Sequence, residues 1–200
     1  MAVDGYMYFE DYDGKLLKSE SQVDTSANKG GIWDDSKNFK WKDAANKVDG
    51  KYSSLFEIED FSFDIEQTLN IGSQSTGAGA GKVTFNPFQI NRKIDVSSAS
   101  FFAKACSGTP FMNVALGLRK SSGGDTSGQM FLAFKFKLVA VKTVSWSYDD
   151  ESPKESVTFE YGGLQVFYSP QNPDGTMAAV QMDGWNRVRN LRDQTETPIK

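Results

Sequence analysis

Along most of this chain apolar side chains recur at every second position, the pattern of strands with one buried face. Residues 3–9 open with such a run and leave it at the turn signal Asp13-Gly14. Residues 55–67, LFEIEDFSFDIEQ, alternate twice with a change of phase: Phe56 and Ile58 share one face, then Phe61, Phe63 and Ile65 hold the other parity. A one-residue slip exchanges the two faces of a strand, so a bulge is expected near Glu59-Asp60. The pattern returns over 82–90, shifting phase around Pro87, and again over 112–118. Over 130–138, Met130, Leu132, Phe134, Phe136 and Leu138 take one side and Lys135 and Lys137 the other. Val157, Phe159 and Tyr161 alternate up to Gly162-Gly163, after which Leu164, Val166 and Tyr168 continue on the opposite parity, which predicts a second bulge at the glycine pair.

One segment carries a helical period instead. Ala99, Phe102, Ala103 and Cys106 recur at i, i+3, i+4 and i+7 between an N-cap at Ser97 or Ser98 and a stop at Gly108. This places Cys106 on a buried apolar face, as a structural rather than a reactive thiol. The expected fold is mainly β: an antiparallel β-barrel or curled two-sheet sandwich with one short α-helix and a long arm-like loop.

The arm is residues 23–52, where six Lys and five Asp with Asn, Ser and Gly surround a few large apolar residues, Ile32, Trp33, Phe39 and Trp41 among them. Loops this long in compact domains are either functional or disordered, and disordered segments are poor in aromatics, so the arm is expected to pack on something. Its own domain and a neighbouring subunit are both open as that surface. Residues 72–81 (GSQSTGAGAG) and 121–128 read as Ser/Gly-rich surface loops.

Composition narrows the chemistry. The formal charge of −4 and pI near 5 disfavour a phosphate-neutralising protein, so no nucleic acid is expected. Nothing like a 20-residue apolar run offers a membrane span. The N-terminus carries acids where a secretory leader would be apolar, so export is expected to take another route. A single cysteine forms no intramolecular disulfide, which fits folding in the cytoplasm. The chain has no histidine at all, which removes Ser-His-Asp and Cys-His nucleophile systems and His-containing zinc sites.

Three segments look like chemical motifs and depart from them. Gly77, Gly79, Gly81 and Lys82 lack the first glycine and the trailing Ser/Thr of a phosphate loop, whose places hold Thr76 and Val83. Residues 9–20 put Asp11, Asp13, Gly14 and Glu20 at calcium-loop spacings, but Phe9 fills the first position and the flanks are strand-like. Asp149, Asp150 and Glu151 read as a solvated turn between strands. No catalytic residue, metal or cofactor is expected.

The order and spacing of the segments carry more than any single motif. The strand and turn over 6–14, FEIEDFSFDIEQ, GKVTFNPFQINRKID, SSASFFAKACSG, NVALGLRK and the C-terminal stretch SPKESVTFEYGGLQVFYSPQNPDG together resemble the Hcp family, tube-forming proteins of bacterial type VI secretion. Gly184-Trp185 followed by Arg187-Val188-Arg189-Asn190 looks like the short tail of many members. The resemblance implies one tube domain over 1–200, with the arm at 23–52 and a tail at 176–200. It implies six-membered rings of this chain that stack into a tube, a spike protein of the VgrG type, sheath proteins and effector cargo as partners, and secretion from the cytoplasm without a signal peptide. It favours a neighbouring subunit as the surface under the arm, with Ile32, Trp33, Phe39 and Trp41 as subunit-interface candidates and Lys135 and Lys137 as candidates to face the lumen. Truncating Trp41 should then weaken rings more than it weakens the monomer. A phage-type tail-tube protein shares this architecture and is the nearest alternative. A carbohydrate-binding β domain, using Trp33, Trp41 and Trp185 as platforms, is a distant one.

Overall fold

The computed structural model describes residues 2–48, 50–70, 79–121, 128–148 and 152–199; the centres of the 72–81 and 121–128 loops and the 149–151 turn lie outside them. The long strands are β1 (Ala2–Glu10), β7 (Phe111–Ser121), β8 (Gln129–Tyr148) and β9 (Pro153–Tyr168), with shorter β2 (Phe56–Ile58), β3 (Asp60–Ser62), β4 (Ile65–Asn70), β5 (Gly79–Phe85), β6 (Phe88–Lys93), β10 (Gln181–Asn186) and β11 (Leu191–Arg192). Nine of them form one antiparallel sheet whose backbone order is β11-β10-β9-β8-β7-β1-β2, and β6 joins β9 to β3 off that path. β4 and β5 make a separate two-stranded ribbon.

The phase change at Glu59 is real and has a topological use. β2 pairs with β1 (Met7 opposite Phe56), whereas β3, two residues on, pairs with β6 (Phe61 opposite Ile90). Glu59 itself donates its N–H to the Asn91 carbonyl at 2.9 Å. One bent strand thus bonds to β1 through its first half and to β6 through its second, over a core of Met7, Phe9, Phe56, Phe88, Phe111, Phe136 and Phe159. The rings meet edge to face or offset, as their quadrupoles favour; Phe88 stacks on Phe136 at 4.5 Å and Phe9 meets Phe101 at 5.0 Å.

The glycine pair does something other than predicted. Val157, Phe159, Tyr161 and Leu164 all face the core, so the parity does flip between Tyr161 and Leu164. Yet the pairing of β8 with β9 keeps one register from Lys137 opposite Gly163 to Val141 opposite Phe159. The flip is matched on β8, where Leu138 has φ 50°. A Cβ on Gly162 would come within 3.1 Å of the Leu138 side chain, so the glycine lets the two strands kink together. The residue that shifts the register lies elsewhere, between Val141 and Thr143.

Two short helices in the arm, α1 (Gly31–Asp34) and α2 (Trp41–Ala45), were not anticipated, while α3 (Ser98–Ser107) was. α3 ends as expected, with Gly108 in the left-handed region at φ 68°. Its buried side is Ser98 and Phe101, so the predicted apolar stripe is the exposed one: Ala99, Phe102, Ala103 and Cys106 all face outward. The short segment carries apolar residues on two stripes, and Phe101 wins because it fits among Phe9, Phe56 and Phe159.

Candidate functional site

The kink at Leu138 and Gly162 divides the sheet into two halves whose outward faces differ. In the first half, β1, β7 and the paired ends of β8 and β9, that face is also apolar. Tyr6, Tyr8, Ala115, Met130, Ala133 and Phe167 form a second buried cluster, and the arm supplies its cover. Phe39 sits edge-on to Phe167 at 4.6 Å, and Trp41 sits edge-on to Tyr8 at 4.9 Å. The Lys40 N–H donates to the Tyr8 hydroxyl at 3.0 Å, and burial pushes that phenol well above its ordinary pKa. Gly117 leaves the gap that Met130 and Trp41 fill, since a Cβ there would fall 2.5 Å from the Met130 sulfur.

Ile32, Trp33, Phe39 and Trp41 are therefore spent inside their own chain. All four are buried, none more than 5% exposed, and they have almost no surface to give a neighbour. This corrects the expected arm exchange: a sheet that is apolar on both faces must be covered from both sides before it meets anything else. With Trp33 and Trp41 buried and Trp185 half-buried, the exposed aromatic platform of a carbohydrate binder is absent at these three positions.

Lys135 and Lys137 do lie opposite the main core, as their parity implied, but they are not open to solvent. Lys135 Nζ donates to the Asn38 carbonyl at 2.7 Å, and burial followed by the charge of Lys137 lowers its pKa. Lys137 is fully buried and donates to Asp193 Oδ2 at 3.0 Å, to the Thr195 carbonyl at 2.6 Å and to the Thr197 carbonyl at 3.3 Å. Gln165 Nε2 adds a bond to the Thr195 carbonyl at 2.7 Å, and the Tyr12 hydroxyl donates to the Ile199 carbonyl at 3.0 Å. Burial works against ionisation of Asp193, but its bonds from Thr195 and Lys137 prevail and hold that carboxyl below the usual range. The tail thus straps the wet stripe that parity alone could not show to be covered.

In the second half the outward face stays free and hydrophilic. Its rows, read across β3, β6, β9 and β8, are Ser62-Gln89-Thr158-Thr143 and Asp60-Asn91-Ser156-Ser145, with Lys93-Lys154-Ser147 continuing on the last three strands. Hydroxyls and amides predominate and charges are few. Beneath this face Arg92 is clamped between the Phe56 and Phe101 rings and pairs with Glu155 at 2.7 Å and with Asp95. Glu155 also accepts from the Trp146 indole N–H at 2.8 Å. That bond fixes a half-exposed indole (49%) 6.1 Å from the 52%-exposed ring of Phe102, with Tyr148 78% exposed at the end of the same strand. The second half thus presents a polar sheet face flanked by exposed aromatics, one of them held in place by its hydrogen bond. The polar rows were legible in the sequence as the positions between Phe88, Ile90, Val157 and Phe159, but only register brings them side by side.

Comparison with known proteins gives this surface a setting. A family model described as type VI secretion system effector, Hcp, matches residues 45–168. Protein hcp1 of Pseudomonas aeruginosa is 28% identical over 112 residues, which are 56% of this chain and 69% of that protein. A solved structure described as a type six secretion system protein aligns with a TM-score of 0.70 at 19% identity, covering 96% of this chain and 100% of its own. Hcp1 from Salmonella typhimurium aligns with a TM-score of 0.59 at 17% identity, covering 96% and 100%. At such identities the structural likeness is one of fold.

Proposed function

The chain belongs to the Hcp family of type VI secretion proteins, and on that premise we propose that it is a structural tube subunit, forming hexameric rings that stack and are ejected. The polar face of β3, β6, β9 and β8 lines the ring lumen, and the bent strand 56–62 closes each subunit into a barrel. The exposed aromatics Phe102, Trp146 and Tyr148 lie at the seam with the next subunit. The observation that carries this is the contrast between the two outward sheet faces. One is sealed by the chain's own arm and tail, and the other is left free with hydroxyls and amides in register.

A lumen of this chemistry suits passage of folded cargo, because neutral hydrogen-bonding groups hold water without a strong field of one sign. Effector cargo would travel there, with a VgrG-type spike at the tip and sheath proteins outside. The subunit would be made in the bacterial cytoplasm, leave by ejection without a cleaved leader, and perform no catalysis. Native mass spectrometry and negative-stain microscopy test the proposal: rings with a central hole are expected, and a strict monomer at high concentration would refute it.

A further inference from the structure

Two exposed surfaces, the first meeting the polar sheet face at Asp60, are opposite in charge, and the Glu59 side chain of one and the Arg189 side chain of the other have no partner in their own chain among the described residues. The first is a groove of about 390 Å³ where the bent strand leaves β1. Its walls are Val3, Ile58 and Phe61, and its rim is acidic with Glu57, Glu59 and Asp60. Glu57 accepts only from the Ser21 hydroxyl and Asp60 from the Asn91 amide, so no cation neutralises either, and the Glu59 side chain has no hydrogen bond or ion pair. The backbone edges of β1 before Gly5 and of β3 flank the same opening.

The second is the turn between β10 and β11. Val188 is 61% exposed and Leu191 46%, and Arg189 between them makes no side-chain bond among the described residues. The turn is rigid: Asn186 Oδ1 accepts the Arg189 N–H at 2.9 Å, and Arg187 and Arg192 are tied to Glu160 and Asp183. It is a fixed knob of two aliphatic side chains around one free guanidinium, on a chain of net negative charge.

The two surfaces cannot meet within one molecule. Gly5, Leu118, Leu132, Tyr168 and Gln181 form one row across the sheet, and Glu10, Asn113, Lys137, Gly163 and Asn186 form a parallel row five residues away. The groove lies at the β1 end of the first row and the knob at the β10 end of the second. At strand spacings of about 4.8 Å and a rise of about 3.4 Å per residue they are on the order of 25 Å apart measured along the sheet, at diagonal corners. A knob and a groove on different faces of one chain define a head-to-tail contact between copies, which closes into rings or propagates along a stack.

We propose that the Val188-Arg189-Leu191 knob of one copy docks in the acidic groove at Glu57-Glu59-Asp60 of the next, an inference that rests on the tube reading and assigns one of its subunit contacts. The aliphatic pair fills the apolar walls, and Arg189 meets the carboxylate rim. Rim charges of this kind set register and partner choice.

Reversing charge on each side tests it. Arg189→Glu alone and Glu59→Lys/Asp60→Lys alone should each raise the concentration at which half the protein is assembled by roughly tenfold or more, since like charges facing one another across an interface weaken affinity by at least about that factor. The combined variant should return toward wild type. Sedimentation velocity reads the size distribution, micrographs show whether rings or stacks are lost, and thermal melts confirm folded monomers. Single variants that assemble like wild type, or a combined variant that stays dispersed, overturn the contact. A wild-type chain that remains monomeric sinks the tube reading and takes this contact with it.

Discussion

The Lys137 clasp allows a sharp test of how the tail is held. In Lys137→Met a side chain of similar length fills the same channel, but three donated bonds disappear. The Asp193 carboxylate, only 8% exposed, is left without its cation, and the Thr195 and Thr197 carbonyls lose a donor. Removing one member of a buried pair costs about 3–5 kcal/mol, because the survivor stays desolvated. For a chain of this size that is a fall of roughly 6–20 °C in Tm. Asp193→Asn alone should cost less, since Lys137 keeps two carbonyl acceptors. The Lys137→Met/Asp193→Asn double variant should be more stable than the sum of the singles by about 2 kcal/mol, because no unpaired charge remains. Urea unfolding of all four proteins gives the cycle, and hydrogen exchange at residues 193–199 should quicken in Lys137→Met before the core does. If Lys137→Met unfolds within about 0.5 kcal/mol of wild type, the claim that a dry ion pair secures the tail is wrong.

Three further outcomes follow from the packing. Trp41→Ala removes a fully buried indole and should destabilise the monomer by about 3–5 kcal/mol, reversing the expectation that rings would suffer first; equilibrium unfolding in dilute solution decides it. Asp95 and Asp193 both have folded pKa values below the unfolded one of about 3.9, so their contribution is complete above that value and is lost as pH falls through the folded values. Acid titration below pH ~4 should loosen the tail first, seen as faster proteolysis near the C-terminus, and equal loosening at pH 6 would contradict the assignment. Cys106 is exposed on α3 beside the Phe102 stripe, so a thiol reagent should label the monomer at an unhindered rate and assembled protein more slowly; identical rates in both would remove that stripe from the seam.

Much of this fold could be read from alternation alone. The phase change between Ile58 and Phe61 located the strand break at Glu59, and the parity flip at Gly162-Gly163 was also visible. That the flip is a matched kink was not, because Leu138 on the partner strand gives no sign in sequence of a positive φ. The arm's destination was legible in hindsight: Tyr6 and Tyr8 alternate with Met7 and Phe9, so both faces of β1 are apolar, and a strand of that kind needs cover on two sides. α3 defeated the period because Phe101 and Phe102 head rival stripes, and only the cavity lined by Phe9 and Phe159 chooses between them. For Lys135 and Lys137 parity gave no sign of the surroundings, since the arm at Asn38 covers the first and a tail some sixty residues on in sequence covers the second.

The kink at Leu138 and Gly162 also restricts how this ribbon can vary in length. A residue added to β8 alone, between Lys137 and Val139, would leave β9 uncompensated and exchange inward and outward side chains along everything beyond it: Lys142 would turn toward the aromatic core and Val141 toward water. Only an even change matched across the pair, two residues in each strand, keeps both the pairing and the facing of the two halves. Homologous chains should therefore gain or lose residues here in twos within each strand, whereas unpaired or odd length changes should be confined to the turns where strands are not yet bonded to one another.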